Sequence, residues 1–226
     1  MKFISWALLG LIMAVNTVQA RTLSEAAARY SKELKVGCIV TAERTGDEVK
    51  YAISGAAPEA GDAKPEKLVF EIGSISKVFT GLLLAQAVVE KKVTLDTTIG
   101  TLLAQQVKFA DPRVAVITLK QLATHTSGLP RMPDNADFSV ADPYGAYDLK
   151  KLGEWIASVK LEGTVPHDMS YSNVGVAILG HVIERALGDS WSNLVRDRIC
   201  KPLGMLDTML VPTPELRQRL VPPFEG

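Results

Sequence analysis

An α+β fold is what this sequence predicts, on three observations. The strand-like runs, at residues 36–42, 49–54 and 68–72, all come early in the chain. From Ser76 onward, apolar residues recur at helical spacing in block after block. Strands first and then a long series of helices is the α+β order. The 226 residues, 47% of them apolar with 25 basic and 25 acidic side chains, are enough for one large domain or two closely packed lobes. No basic excess or basic run points to nucleic acid, and there is no acidic tail.

The first twenty residues stand apart. Lys2 precedes an apolar stretch over residues 3–15, and Asn16-Thr17-Val18-Gln19-Ala20 follows. This reads as a secretory signal cleaved after Ala20, which divides the chain into residues 1–20 and a mature part, 21–226. A membrane-spanning helix needs about 20 apolar residues, and this core is shorter. No cysteine follows closely enough to carry a lipid anchor. The expected location is therefore periplasmic or secreted, with no stable membrane span after cleavage.

Residues 24–34 read as a short helix through Ala26, Ala27, Tyr30 and Leu34. Residues 36–42 and 49–54 form a hairpin about Thr45-Gly46-Asp47. A loop rich in Pro, Gly and Ala runs to Lys67, and residues 68–72 are a short apolar strand. Residues 76–90 carry Val78, Phe79, Leu82, Leu83, Leu84, Ala87, Val88 and Val89, apolar nearly all round, which predicts a helix buried on most sides. Residues 117–124 are a short helix stopped at Thr126-Ser127-Gly128-Leu129-Pro130. Asp148 caps a helix with Leu149, Leu152, Ile156 and Val159 on its apolar positions. Residues 172–187 form the next helix, closed by Gly188, and Ser190 caps another that Pro202 ends. Two or three strands are a small sheet for so many helices, and exposed sheet edges are a liability. The expectation is a chain whose C-terminal sheet strands are missing.

Two short patterns carry chemistry. In Gly73-Ser74-Ile75-Ser76-Lys77 a hydroxyl and an amine lie three residues apart at the start of a helix, on one face. An amine desolvated among apolar neighbours can take the proton of an alcohol nucleophile. The N–H groups of a helix start suit a developing oxyanion. The bland reading is a capping serine with a solvated lysine. In Tyr171-Ser172-Asn173, at the start of a later helix, a phenol near ammonium groups can relay a proton and an amide can orient a carbonyl. The bland reading there is a tyrosine packing its ring on the helix.

Three segments in order, residues 70–84, 122–132 (Leu-Ala-Thr-His-Thr-Ser-Gly-Leu-Pro-Arg-Met) and 171–208 (Tyr-Ser-Asn-Val-Gly through Pro-Leu-Gly-Met-Leu-Asp-Thr), resemble the penicillin-recognising serine hydrolases. The branch is that of class C β-lactamases, D-Ala-D-Ala carboxypeptidases and related esterases. The resemblance implies a β-lactamase/transpeptidase-like fold, a helical lobe plus an antiparallel sheet. It implies Ser74 as nucleophile, Lys77 as its activating amine, Tyr171 as proton relay to the leaving group and Asn173 as the substrate-orienting amide. The Ser74 N–H would be one oxyanion donor. Substrates would be β-lactams, D-Ala-D-Ala peptides or small esters, turned over through an acyl-enzyme without metal or organic cofactor. A Ser-His-Asp scheme with His125 as base lacks a Gly-x-Ser-x-Gly elbow, and the His-Thr-Ser-Gly turn of this family looks architectural. Glu162 as a class A-like base lacks the loop pattern around it.

Two features depart from the family. Pro166-His167-Asp168-Met169-Ser170 lacks the Pro-Gly lead-in to Tyr-x-Asn. The family's third motif, Lys or His followed by Thr and Gly, lies on a sheet strand far downstream, whereas 53 residues follow Asn173 here. The alternative to an enzyme is accordingly a truncated, inactive relic or ligand-binding remnant. Cys38 and Cys200 read as small buried apolar residues, with a bridge between them the less favoured reading. His125, His167 and His181 show no metal-ligand spacing.

Overall fold

The computed structural model describes residues 22–32, 37–55, 64–103, 105–140 and 144–222. The signal reading, Leu34, Val36 and most of the Pro/Gly/Ala-rich loop lie outside the described residues. In chain order the elements are α1 (Leu23–Ser31), β1 (Cys38–Thr45), β2 (Glu48–Gly55), 3-10 turns at Pro65–Lys67 and Gly73–Ile75, α2 (Ser76–Val89), α3 (Ile99–Leu103) and α4 (Pro112–Ala115). There follow α5 (Leu119–Ala123), α6 (Leu149–Ser158), α7 (Asn173–Leu187), α8 (Trp191–Val195) with a π turn at Arg196–Cys200, and α9 (Pro214–Gln218). They fall into two units. One comprises the described residues before Ile72 and from Pro214 onward, the other Ile72–Thr213.

In the first unit β1 and β2 form the expected antiparallel hairpin, in register from Cys38 opposite Gly55 to Thr45 opposite Glu48. The tight turn works because Gly46 takes a φ of 62°. Gly55 lies so close to the neighbouring strand end that a Cβ there would sit 2.7 Å from the Gly37 carbonyl oxygen. Helix α1 starts in a capping box, Thr22 Oγ1 accepting the Glu25 N–H and the Glu25 carboxylate accepting the Thr22 N–H. It packs on both strands, tied by Thr41 Oγ1 donating to the Leu23 carbonyl at 2.9 Å.

The strand expected at residues 68–72 is reduced to one parallel bridge, Val69 with Leu220. Val69 N–H donates to the Arg219 carbonyl and the Val69 carbonyl accepts the Val221 N–H. Beyond it Phe70 and Ile72 are exposed. Among the described residues no strand pairs the backbone beyond Val69, and the chain turns through Gly73, at φ 49°.

The second unit is built round α7. Its Ile178, Val182 and Ile183 are wholly buried, and the helix touches α2, α3, α5 and α8. The N-caps foreseen from sequence are in place, Asp148 accepting from Lys151 N–H and Ser190 from Asn193 N–H. Ser172, read as the first residue of its helix, is instead the cap of α7 and accepts from Gly175 N–H. Gly188 closes α7 in the left-handed conformation. Trp191 Nε1–H on α8 donates to Thr80 Oγ1 on α2 at 3.0 Å, pairing a buried hydroxyl.

Helix α2 is not buried on most sides. Phe79, Leu83, Leu84 and Ala87 face the core, but Val78, Leu82 and Val89 are exposed, with Ile75 of the preceding turn on the same stripe. Apolar composition does not say what lies against a face, and among the described residues that stripe has no cover. Leu149, placed on the apolar side of α6 from sequence, is likewise exposed. Cys38 and Cys200 are both buried free thiols.

Candidate active site

Ser74 lies in the 3-10 turn that runs straight into α2, and one turn on Lys77 Nζ donates to its Oγ at 3.1 Å. The spacing dictates this contact, because residues three apart stack on one face. Ser74 is exposed and Lys77 half-buried, so the apolar surround foreseen for the amine is only partial.

Tyr171 reaches the same oxygen from 97 residues away, its hydroxyl donating to Ser74 Oγ at 2.7 Å. The phenol sits among cations. Lys77 Nζ lies 4.8 Å and the Arg131 guanidinium 5.2 Å from the ring centroid. Hydrogen bonding by Lys77 and by Ser74 holds the Tyr171 hydroxyl below the usual phenol range, outweighing the opposing effect of desolvation, and the charges of Lys77 and Arg131 add weaker contributions in the lowering sense.

Residues on both sides of Tyr171 are pinned. His167 N–H donates to the Thr126 carbonyl at 2.9 Å and Ser170 N–H to the His125 carbonyl at 2.8 Å. Ser172 N–H donates to His125 Nδ1 at 3.1 Å, and its hydroxyl donates to the Pro130 carbonyl at 2.7 Å while capping α7. Asn173 N–H donates to the Arg131 carbonyl at 2.9 Å. The run 125–131 thus forms the bed on which Tyr171 is set. Farther back, the Asp111 carboxylate caps α4, pairs with Arg113 and accepts the Leu161 N–H, while Arg113 donates to the Gly163 carbonyl at 2.8 Å. This ties down the loop at Leu161 and Gly163, ahead of residue 167.

Of the four site residues read from sequence, Ser74, Lys77 and Tyr171 converge on one oxygen. Asn173 is close in the chain, but its side-chain amide donates to Met132 Sδ at 3.1 Å. His125 is bonded to Ser172 rather than to Ser74, which does not suit it as a base. Glu162 is exposed on its loop. Sequence reasoning missed Arg131, although it lies within the 122–132 run, because nothing local ties its charge to a ring forty residues on. Among the described residues no group of three or more His, Cys, Asp and Glu side chains is placed to hold a metal, and no helix is long and apolar enough to cross a membrane.

The sequence model of the family described as Beta-lactamase matches residues 24–222. Penicillin-binding protein 4 of Amycolatopsis lactamdurans is 34% identical over 153 residues, covering 67% of this chain and 39% of that protein. Esterase EstB of Burkholderia gladioli is 28% identical over 201 residues, covering 84% of this chain and 51% of that protein. The crystal structure of a β-lactamase/D-alanine carboxypeptidase from Yersinia pestis superposes with a TM-score of 0.70 at 27% identity, over 87% of this chain and 56% of that one. The chain thus spans about half the length, or less, of the proteins it matches.

Proposed function

Since this chain belongs to the Beta-lactamase family, we propose that it is the part of an exported serine hydrolase that carries the nucleophile and its proton-transfer partners. The observation that carries this reading is the meeting of Lys77 Nζ and Tyr171 Oη on Ser74 Oγ, at 3.1 Å and 2.7 Å. An alcohol needs a base to become a nucleophile, and here an amine and an acidified phenol are both within hydrogen-bond reach of it.

In the proposed reaction Ser74 Oγ bonds to the acyl carbon as its proton passes to Lys77. Tyr171 delivers a proton to the departing amine or alkoxide, which leaves as the neutral amine or alcohol. Lys77 returns the proton it took to the Tyr171 phenolate. Water then adds to the acyl carbon as one of its protons passes to Lys77, and that proton returns to Ser74 Oγ as the acid departs. The Ser74 N–H, at the start of the turn into α2, is one oxyanion donor. Asn173 orients the substrate carbonyl once its amide leaves the Met132 sulfur. Substrates are β-lactams, D-Ala-D-Ala peptides or small esters, with no metal or organic cofactor in the scheme. The names of the matched relatives, a penicillin-binding protein, an esterase and a β-lactamase/carboxypeptidase, support that range. The apolar run behind Lys2 supports export.

The test is covalent labelling of the full-length protein. A fluorescent penicillin or fluorophosphonate is expected to label it, Ser74→Ala to abolish the label, and peptide mass mapping to place the adduct on Ser74. An adduct on Ser76 or Ser127 overturns the assignment.

A further inference from the structure

His125 has a backbone φ of 58°, a left-handed conformation uncommon outside glycine. That conformation lets one residue hold both neighbours of Tyr171. Its carbonyl accepts the Ser170 N–H and its ring Nδ1 accepts the Ser172 N–H. The imidazole also lies against the Tyr171 ring, centroids 4.6 Å apart. A backbone amide can only donate, so Nδ1 must present its lone pair and the ring proton sits on Nε2.

We infer that His125 is a positioning residue for Tyr171, holding the Ser172 N–H on an unprotonated Nδ1, so that protonating this one ring loosens the Tyr171 hydroxyl from Ser74 and sets an acid limit on acylation. Protonation turns the bond into two N–H groups facing each other. It also places a third cation beside a ring already flanked by Lys77 from α2 and Arg131 from the 125–131 run. The pinned run also carries His167, whose Nδ1 meets the Asp168 carbonyl, and the Asp168 carboxyl beside it. Burial first, and the Lys77 charge second, hold His125 below the ordinary imidazole range. A lowered value means that the neutral, gripping form is complete above about pH 6.5 and is lost as the pH falls through the folded value.

The inference rests on Ser74 and Tyr171 acting as proposed above, and its test separates the two. Acylation of the full-length protein by a fluorescent penicillin is followed from about pH 5 to pH 8, across the range in which an imidazole titrates. His125→Gly accepts the left-handed backbone but offers no acceptor, and is expected to slow acylation about tenfold or more where the wild-type ring is neutral, the scale on which misplaced reacting groups are felt, with the deficit narrowing toward acid. His125→Asn tolerates the same backbone and offers an amide oxygen that does not titrate. It is expected to recover most of the rate and to lose the acid limb. An acid limb in His125→Asn identical to that of the wild type overturns the inference, as does full activity in His125→Gly. The ¹⁵N spectrum of the labelled imidazole gives a readout independent of activity and of the variants' folding. A neutral ring with the proton on Nε2 at pH 7 supports the inference, and one with the proton on Nδ1 overturns it even if Ser74 proves not to be acylated.

Discussion

Two donors on one oxygen predict a specific pattern of non-additivity. Lys77→Ala removes the amine at 3.1 Å from Ser74 Oγ, and Tyr171→Phe removes the hydroxyl at 2.7 Å while keeping the ring against His125. Each single change is expected to lower the acylation rate by about 10²-fold or more, the scale of losing a positioned general acid or base. Acting independently, the pair would cost about 10⁴-fold. They do not act independently, because the phenol's acidity is itself set largely by Lys77. Without the amine the hydroxyl is a poorer relay, so its further removal costs less. The double variant is expected within about tenfold of the slower single one, the behaviour of groups that work as a unit. The assay is the second-order acylation rate of the four proteins with one fluorescent penicillin, with thermal melts to establish that each is folded. Full multiplicative losses would mean that the two side chains serve separate steps. A near wild-type rate in either single variant would mean that the proton goes elsewhere.

Asp111 gives a pH prediction. Hydrogen bonding from Arg113 and then from Leu161 N–H holds its carboxyl well below the usual carboxylate range, so its stabilising effect is complete above about pH 4 and disappears in stronger acid. Asp111→Asn is expected to lower Tm at pH 7, with the gap from wild type closing as the pH falls below about 4; a constant gap down to pH 2 would contradict this. Burial pushes both the Cys38 and the Cys200 thiols up, so a disulfide reagent is expected to react slowly with the native protein and to titrate both after unfolding; loss of both thiols from the unfolded, unreduced chain would show a bridge instead.

What the sequence made legible is what is decided locally. The caps at Asp148 and Ser190 each close a bond three residues on, and Ser74 with Lys77 is the same relation between side chains. The hairpin was readable from the residues round Gly46. The short helices α3, α4 and α9 were missed because four or five residues show no 3.6-residue period, although the Asp111-Pro112 start of α4 is a capping signal that could have been used. The exposed stripe of α2 and the lost strand after Val69 have another cause. Both depend on what lies alongside, and a chain with the same apolar residues would read identically with either face covered.

The site divides along the same line. Proximity of Tyr171 to Ser74 followed only from resemblance to a family, because no local rule joins residues 97 apart. The bond from Ser172 to His125 followed from neither, since it depends on two loops running side by side and on one left-handed residue that turns its ring toward them. Arg131 shows why charge is the hardest part to read. Its carbonyl holds the first turn of α7 through Asn173 N–H while its guanidinium overlies the Tyr171 ring. One residue therefore fixes the helix start and helps to set the acidity of the phenol beside it. The backbone role constrains position, the side-chain role constrains charge, and only the second would be lost in Arg131→Gln.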